Sequence, residues 1–207
     1  VDERIDDPLI NMDIFTSKQF VVGFWASNFL YASFMGITLI VPLFIENIWG
    51  GTALEAGLVL LPGTIAALFI NPLAGYLTDR FHARPVIVFF GACLAFGSVA
   101  MAFMDASTPF WLILLLQGIR ACGVSGLVSP LTSWSMEELA PNRMTDASSF
   151  STAIRQAIAS MGTALMVFSI TLGAQAFGSL LFGFQLALGL SGVFALALFV
   201  IALVRVR

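Results

Sequence analysis

Residues 183–204 read GFQLALGLSGVFALALFVIALV, twenty-two consecutive positions without one charged side chain. A helix on the surface of a soluble protein keeps a polar face, and this stretch has none. A helix that crosses a bilayer needs about 20 mostly apolar residues, and this stretch supplies them. Working outward, five more stretches of the same kind lie at 20–45, 55–77, 86–104, 110–134 and 148–173. Between them stand turn residues: Trp49-Gly50-Gly51-Thr52, Arg80 to Pro85, Asp105 to Pro109, Glu137 to Asn142, and the Gly173–Gly178 strip. Pro85 and Pro109 are expected in first turns of helices, with Ser107 and Thr108 as cap oxygens before the second. An open sheet cannot span lipid, and a barrel would alternate in polarity, so the spans are helices.

Composition agrees. Of 207 residues, 59% are apolar and 10% charged, against about 45–50% and 25% in soluble domains. A net charge of -3 with 9 scattered basic residues argues against nucleic-acid binding. Cys93 and Cys122 sit in apolar runs and read as packing residues. Nothing in the sequence points to a metal or a cofactor. The opening VDERIDDPLINMDIF is acidic and is not a signal peptide. A chain that begins on Val with a polar strip is expected to be a piece of something longer. The expected organisation is a lead-in over 1–19, a six-helix bundle over 20–204 and a tail over 205–207.

Lys and Arg fix the orientation. Arg120 and Arg155 lie within spans; the other seven fall before span one, between two and three, between four and five, or after six. With six spans all four basic segments share one face, cytoplasmic by the positive-inside rule. Spans three and six are almost free of polar residues. Span one carries Ser27, Asn28, Tyr31, Ser33 and Thr38, and span four carries Gln117, Arg120, Ser125 and Ser129. Polar groups at membrane depth face protein or water, so one and four are expected to line a polar path, with three and six facing lipid. The pattern repeats every three spans, which predicts two inverted three-helix repeats. Asn28, Tyr31, Thr38, Gln117, Arg120 and Ser125 are the candidate cavity residues.

Gly75-Tyr76-Leu77-Thr78-Asp79-Arg80-Phe81-His82-Ala83-Arg84 resembles the G-x-L-x-D-R-x-G-x-R loop of major facilitator transporters, keeping Gly75, Asp79, Arg80 and Arg84, with His82 where the second glycine usually stands. VPLFIENIWGGTALEAGLVLLPG (41–63), LAPNRMTDASSFSTAIRQAIASMGTAL (139–165) and DPLINMDIF (7–15) are similar to segments of the C-terminal half of fourteen-span drug/proton antiporters. The resemblance implies a half transporter of the bacterial plasma (inner) membrane with both termini cytoplasmic. Its implied partners are an absent N-terminal half, a small amphipathic substrate, protons and the lipid bilayer. It places Asp79 beside the start of span five, near Asp146 to Ser149, as a conformational latch.

Arg120 lies about ten residues into span four, roughly 15 Å deep, and the spans hold no Asp or Glu beyond Glu55, the first residue of span two. A partner carboxylate would come from the missing half or from a substrate. Arg155 is expected to be structural, satisfying loop carbonyls or Glu137 and Glu138. Pro42, Pro62, Pro72 and Pro130 are expected to kink their spans, and Gly57, Gly63, Gly118, Gly123 and Gly126 to bring helices close.

A rival reading starts from Gly123-Val124-Ser125-Gly126, similar to the nucleophile motif of six-span rhomboid proteases. The only histidine is His82, in a loop, so Ser125 would lack a base. A non-transporting accessory membrane protein is the remaining alternative.

Overall fold

The structure, a computed structural model, describes residues 17–139 and 141–206, with 141–143 as backbone only. Most of the expected 1–19 lead-in, with its DPLINMDIF segment and Arg4, lies outside the described residues, as does Arg207. The described chain is helical throughout: α1 (Lys18–Phe44), α2 (Ala53–Leu58), α3 (Leu61–Phe81), α4 (Ala83–Met101), α5 (Phe110–Met136), α6 (Pro141–Ala176) and α7 (Leu180–Arg205). Taken with their extensions, these make six segments long and apolar enough to cross a membrane.

The helix ends follow from local chemistry. Ser17 caps α1 by accepting the Phe20 N–H at 3.2 Å. Beyond Pro42, α1 continues as a π-helical turn over Ile45–Trp49. Gly50 then stops it at φ 77, a backbone setting that glycine reaches without a side-chain clash. Thr52 and Glu55 form a reciprocal capping box at the start of α2: the Glu55 N–H donates to Thr52 Oγ1 at 3.3 Å and the Thr52 N–H to Glu55 Oε2 at 2.7 Å.

Several expected boundaries are corrected. Span two is two helices, because Pro62 stands in the first turn of α3 and its ring would clash with the carbonyl of an unbroken helix. Pro42, Pro72 and Pro130 stay inside their helices. Span three ends at Met101, not 104, and span five starts at Pro141, two turns before 148. Pro109 is the N-cap of α5, not a first-turn residue, and no side chain caps that helix. The expected cap oxygens turn to Asp105 instead: its Oδ1 accepts the Ser107 hydroxyl at 2.7 Å, the Ser107 N–H at 2.9 Å and the Thr108 hydroxyl at 3.1 Å. These bonds, the Ser107 hydroxyl foremost, hold the Asp105 carboxyl below the usual range, since each stabilises the charged form.

Two ends of the bundle can be told apart. At one, Lys18 and Arg205 border a common groove, and His82, Arg84 and Glu137 border another concavity. At the other, the Trp49 indole N–H donates to the Thr108 carbonyl at 2.9 Å and the Gln185 amide to the Met104 carbonyl at 3.1 Å. Lys18, Arg80, Arg84 and Arg205 all lie at the first, basic end.

The packing is swapped between the two triplets. α1 and α5 pack on each other at the centre; α6 lies on α1, α3 lies on α5, and α4 and α7 pack on each other, α4 also on α5 and α7 on α1. Exchanging α1 with α5, α3 with α6 and α4 with α7 carries each of these contacts onto another or onto itself, as an inverted repeat requires; the exception is α6, which also packs on α7, whereas α3 barely touches α4. Small residues permit the close approaches: a Cβ on Gly123 would lie 2.5 Å from the Leu94 nitrogen, and one on Gly97 2.9 Å from the Arg120 nitrogen. Gly63 and Gly126 also meet neighbouring helices, whereas Gly57 faces open space and Gly118 makes only ordinary contact.

Coverage is uneven. Of the most apolar stretch of each span, 56% is buried in α1, but only 11% in the α2–α3 span and 22% in α6. Ile65, Leu68 and Phe69 of α3 and Met161, Leu165 and Phe168 of α6 stand exposed. Spans three and six were expected to be the outward-facing pair. They do expose Phe89, Phe96, Val193 and Val200, yet their inner faces are covered by each other and by the central helices, so α3 and α6 are the barer pair.

Candidate functional site

The polar residues of α1 and α5 turn inward. Ser27, Asn28, Ser33, Gln117, Arg120 and Ser125 are all buried, because the helices packed around the central pair cover them. In hydrocarbon such groups must find protein partners. Ser33 and Ser191 do so across α1 and α7: the Ser191 hydroxyl donates to the Ser33 carbonyl at 3.0 Å, and the two hydroxyl oxygens are 2.8 Å apart.

Thr38, Gln117, Arg120 and Ser125 do line one cavity, of about 180 Å³, between α1, α3 and α5. Phe34, Leu60 and Val124 supply apolar wall, and Thr64 adds a hydroxyl. Arg120 is wholly buried. Its Nε–H donates to Gln117 Oε1 at 3.1 Å, one turn back along α5, while Nη1 has no hydrogen-bond partner among the described residues. Its Cα is pressed against α4, where only the missing side chain of Gly97 leaves room. A guanidinium so placed is half satisfied.

Asn28 and Tyr31 do not border this cavity. Asn28 is buried on α1 with its Nδ2 unpartnered among the described residues. Tyr31 lies on the α1 face that carries Phe34 and Thr38, and the Arg155 guanidinium sits over its ring, 4.8 Å from the centroid. Arg155 Nη2 also donates to the Thr152 hydroxyl at 3.0 Å. The expected pairing of Arg155 with Glu137 or Glu138 is thus corrected. Those carboxylates are taken from α1: Glu138 accepts the Ser17 hydroxyl at 2.8 Å and Glu137 the Gln19 amide at 3.3 Å. The cation–π partner was not foreseen, since only packing of α6 on α1 brings Tyr31 and Arg155 together.

At the basic end, Asp79 is exposed and has no hydrogen bond among the described residues. It borders a concavity of about 870 Å³ together with Arg84, Glu137 and Met144, which brings the loop and the first turns of α6 to one opening. The Asp146–Ser149 stretch, expected as the helix start facing Asp79, is already inside α6, so it presents no free N-terminal amides. Arg80 Nη1 donates to the Tyr76 hydroxyl at 3.0 Å and its guanidinium lies 5.6 Å from the Phe81 ring centroid. Gly75 is inside α3, and a Cβ there would meet nothing. His82 joins α3 to α4 at φ 66, ψ 162, a region almost reserved for glycine. The departure from the loop pattern thus leaves the turn in place but strained.

Ser125 is not brought to a base. Gly126 abuts Phe90 of α4, and His82 is eight residues earlier on that line, about 12 Å along the axis.

A bundle of six membrane-spanning helices with swapped, pseudo-twofold triplets and polar residues on the central pair defines half of a polytopic transporter fold. Residues 24–207 match the Major Facilitator Superfamily, and the chain belongs to that superfamily of transporters. It is 29% identical over 163 residues to the Bacillus subtilis protein named "Uncharacterized MFS-type transporter YhcA", covering 79% of this chain and 31% of that one. It is 26% identical over 165 residues to the "Multidrug export protein EmrB" of Escherichia coli K12, covering 77% and 31%. It is 24% identical over 161 residues to the "Riboflavin transporter RibZ" of Clostridioides difficile, covering 78% and 35%. The chain thus spans about a third of the length of the curated relatives it matches.

Proposed function

We propose that this chain works as the C-terminal six-helix half of a fourteen-span drug/proton antiporter, exporting small amphipathic compounds by alternating access. The observation that carries the reading is the uncovered strip at the centre of the bundle. α3 and α6 do not pack on each other, and between them runs the α1 face of Tyr31, Phe34 and Thr38. An N-terminal half seated over α3 and α6 would enclose that strip and give a midplane path between the halves. The basic end is cytoplasmic by the positive-inside rule, so the start of α1 and the end of α7 would both face the inside of a bacterial plasma membrane. Multidrug export in one relative supports an amphipathic substrate; proton coupling would draw on carboxylates of the other half, since the acids of the spans here lie near their ends.

Reconstituted alone in liposomes under a proton gradient, the chain should give no ethidium efflux. Joined to its N-terminal half it should. Robust gradient-driven efflux from the chain by itself would overturn the half-transporter reading.

A further inference from the structure

Among the described residues three buried polar atoms lack a partner: Asn28 Nδ2, Ser98 Oγ and Arg120 Nη1. The first two are neutral. The third belongs to a positive charge with no exposure to solvent, on the wall of a cavity large enough for a small organic group. The described acids, Glu46, Glu55, Asp79, Asp105, Glu137, Glu138 and Asp146, stand in loops or within two turns of a helix end. Arg155, the other cation on a membrane span, rests on an aromatic ring. The interior of this bundle therefore carries positive charge and no negative charge to balance it.

We propose that the Arg120 cavity is an oxyanion subsite, built to take a carboxylate. Arg120 presents its Nη1 edge, since Nε is engaged by Gln117. An ionised acceptor makes a shorter and stronger bond to guanidinium than a neutral one, and no acceptor already on the wall is charged. The Ser125 hydroxyl borders the same space and can donate to the second oxygen, while the Thr38 and Thr64 hydroxyls there donate to the Phe34 and Leu61 carbonyls of their own helices at 3.2 and 2.9 Å. Phe34, Leu60 and Val124 take the apolar body to which the carboxylate is attached. The carboxylate belongs either to the transported compound, which makes acidic amphiphiles the favoured substrates, or to an Asp or Glu of the other half. This rests on the half-transporter reading only for the route by which the anion arrives.

The purified chain in a neutral maltoside is heated with a thiol-reactive coumarin, which reports unfolding through the free, half-buried Cys93 and Cys122. Sodium benzoate should raise the unfolding midpoint saturably. Benzamide, of the same shape but uncharged, should not, nor should sodium chloride at equal ionic strength. The benzoate response should vanish in Arg120→Gln, and also in Ser125→Leu, which keeps the charge but fills the cavity and decides the matter if the first variant does not fold. Equal responses to benzoate and benzamide, or a benzoate response that survives Ser125→Leu, would overturn the subsite. The same titration on the joined transporter separates the sources. A retained response assigns the carboxylate to the substrate. A lost response, with Arg120→Gln now lowering the midpoint of the joined protein, assigns it to the other half. Efflux without a benzoate response in the chain would sink the subsite and spare the transporter reading; the reverse result would do the opposite.

Discussion

Arg120 and Gln117 set up a two-residue test in which the order of stabilities matters more than any single value. The Arg120 Nε–H bond to Gln117 Oε1 involves a charged donor, and such bonds are worth about 1.5–3 kcal/mol. Against it stands the burial of an arginine at mid-membrane, which costs about 2.5–3.5 kcal/mol even on insertion scales. Gln117→Leu removes the bond and leaves the guanidinium wholly unsatisfied, so it should destabilise by about 1.5–3 kcal/mol. Arg120→Met removes the burial cost, loses the bond and leaves one amide oxygen open, which comes out close to neutral. The double variant removes both polar groups, and replacing buried ionic groups by apolar ones is often stabilising by about 1–4 kcal/mol. The expected order of thermal midpoints, read by coumarin labelling of the two cysteines, is Gln117→Leu lowest, wild type and Arg120→Met together, and the double variant highest. Transport by the joined protein should fall in every variant. A double variant less stable than wild type would refute the reasoning, because it would make the pair a satisfied structural element and not a charge held in readiness.

His82→Gly should raise the thermal midpoint, since strained φ/ψ settings cost about 1–3 kcal/mol and the added unfolded-chain entropy returns less than that; a fall would mean that φ 66 carries no strain. Gly123→Ala should destabilise through its clash with the α4 backbone at Leu94, while Gly57→Ala, into open space, should be neutral or mildly favourable in the same assay. Asp79→Asn should impair efflux by the joined transporter with normal membrane insertion, while Asp105→Asn should leave it unchanged; equal effects would reduce Asp79 to a solvated loop residue. The Asp105 carboxyl titrates below the usual range, so its contribution is present above the unfolded-state value and lost as pH falls through the folded one; Ser107→Ala should move that titration, followed by carboxyl NMR shifts, upward.

The spans were legible because lipid imposes length and bars charge, two constraints that act on sequence directly. The basic residues at Lys18, Arg80, Arg84 and Arg205 were legible in the same way, as positions and not as contacts. Helix faces were not. In a soluble helix the polar residues mark the outside, but over its first four turns α3 has only Thr64 and Asn71 as polar marks, so little in its composition says that it lies against α5 and not against α4. The polar residues of α1 and α5 marked central helices correctly, yet not which way they point. Asn28 and Gln117 are both buried, and only Gln117 reaches the cavity. The start of α5 failed because the Ser107 and Thr108 hydroxyls are placed to donate to the charged Asp105 carboxylate, and no side-chain oxygen accepts an N–H of that helix. The close approaches left a sequence trace in Gly97, Gly123 and Gly162, but Gly57 and Gly75 look the same on paper and touch nothing.

The swapped packing has a consequence for how a half bundle can move. α6 rests on α1 and α3 on α5, so each triplet is held by the other, and neither can shift without dragging the central pair. The α1–α6 seam is closed at Gly162, where a Cβ would lie 3.1 Å from the Ala32 backbone, and by the stack of Arg155, about two turns away along α6, on Tyr31. The α3–α5 seam is closed at Gly63 against Ala121. Interfaces packed at backbone distance shift between discrete arrangements and do not deform smoothly. On the half-transporter reading proposed above, the bundle would move as one body, with the barer faces of α3 and α6 turned to the other half.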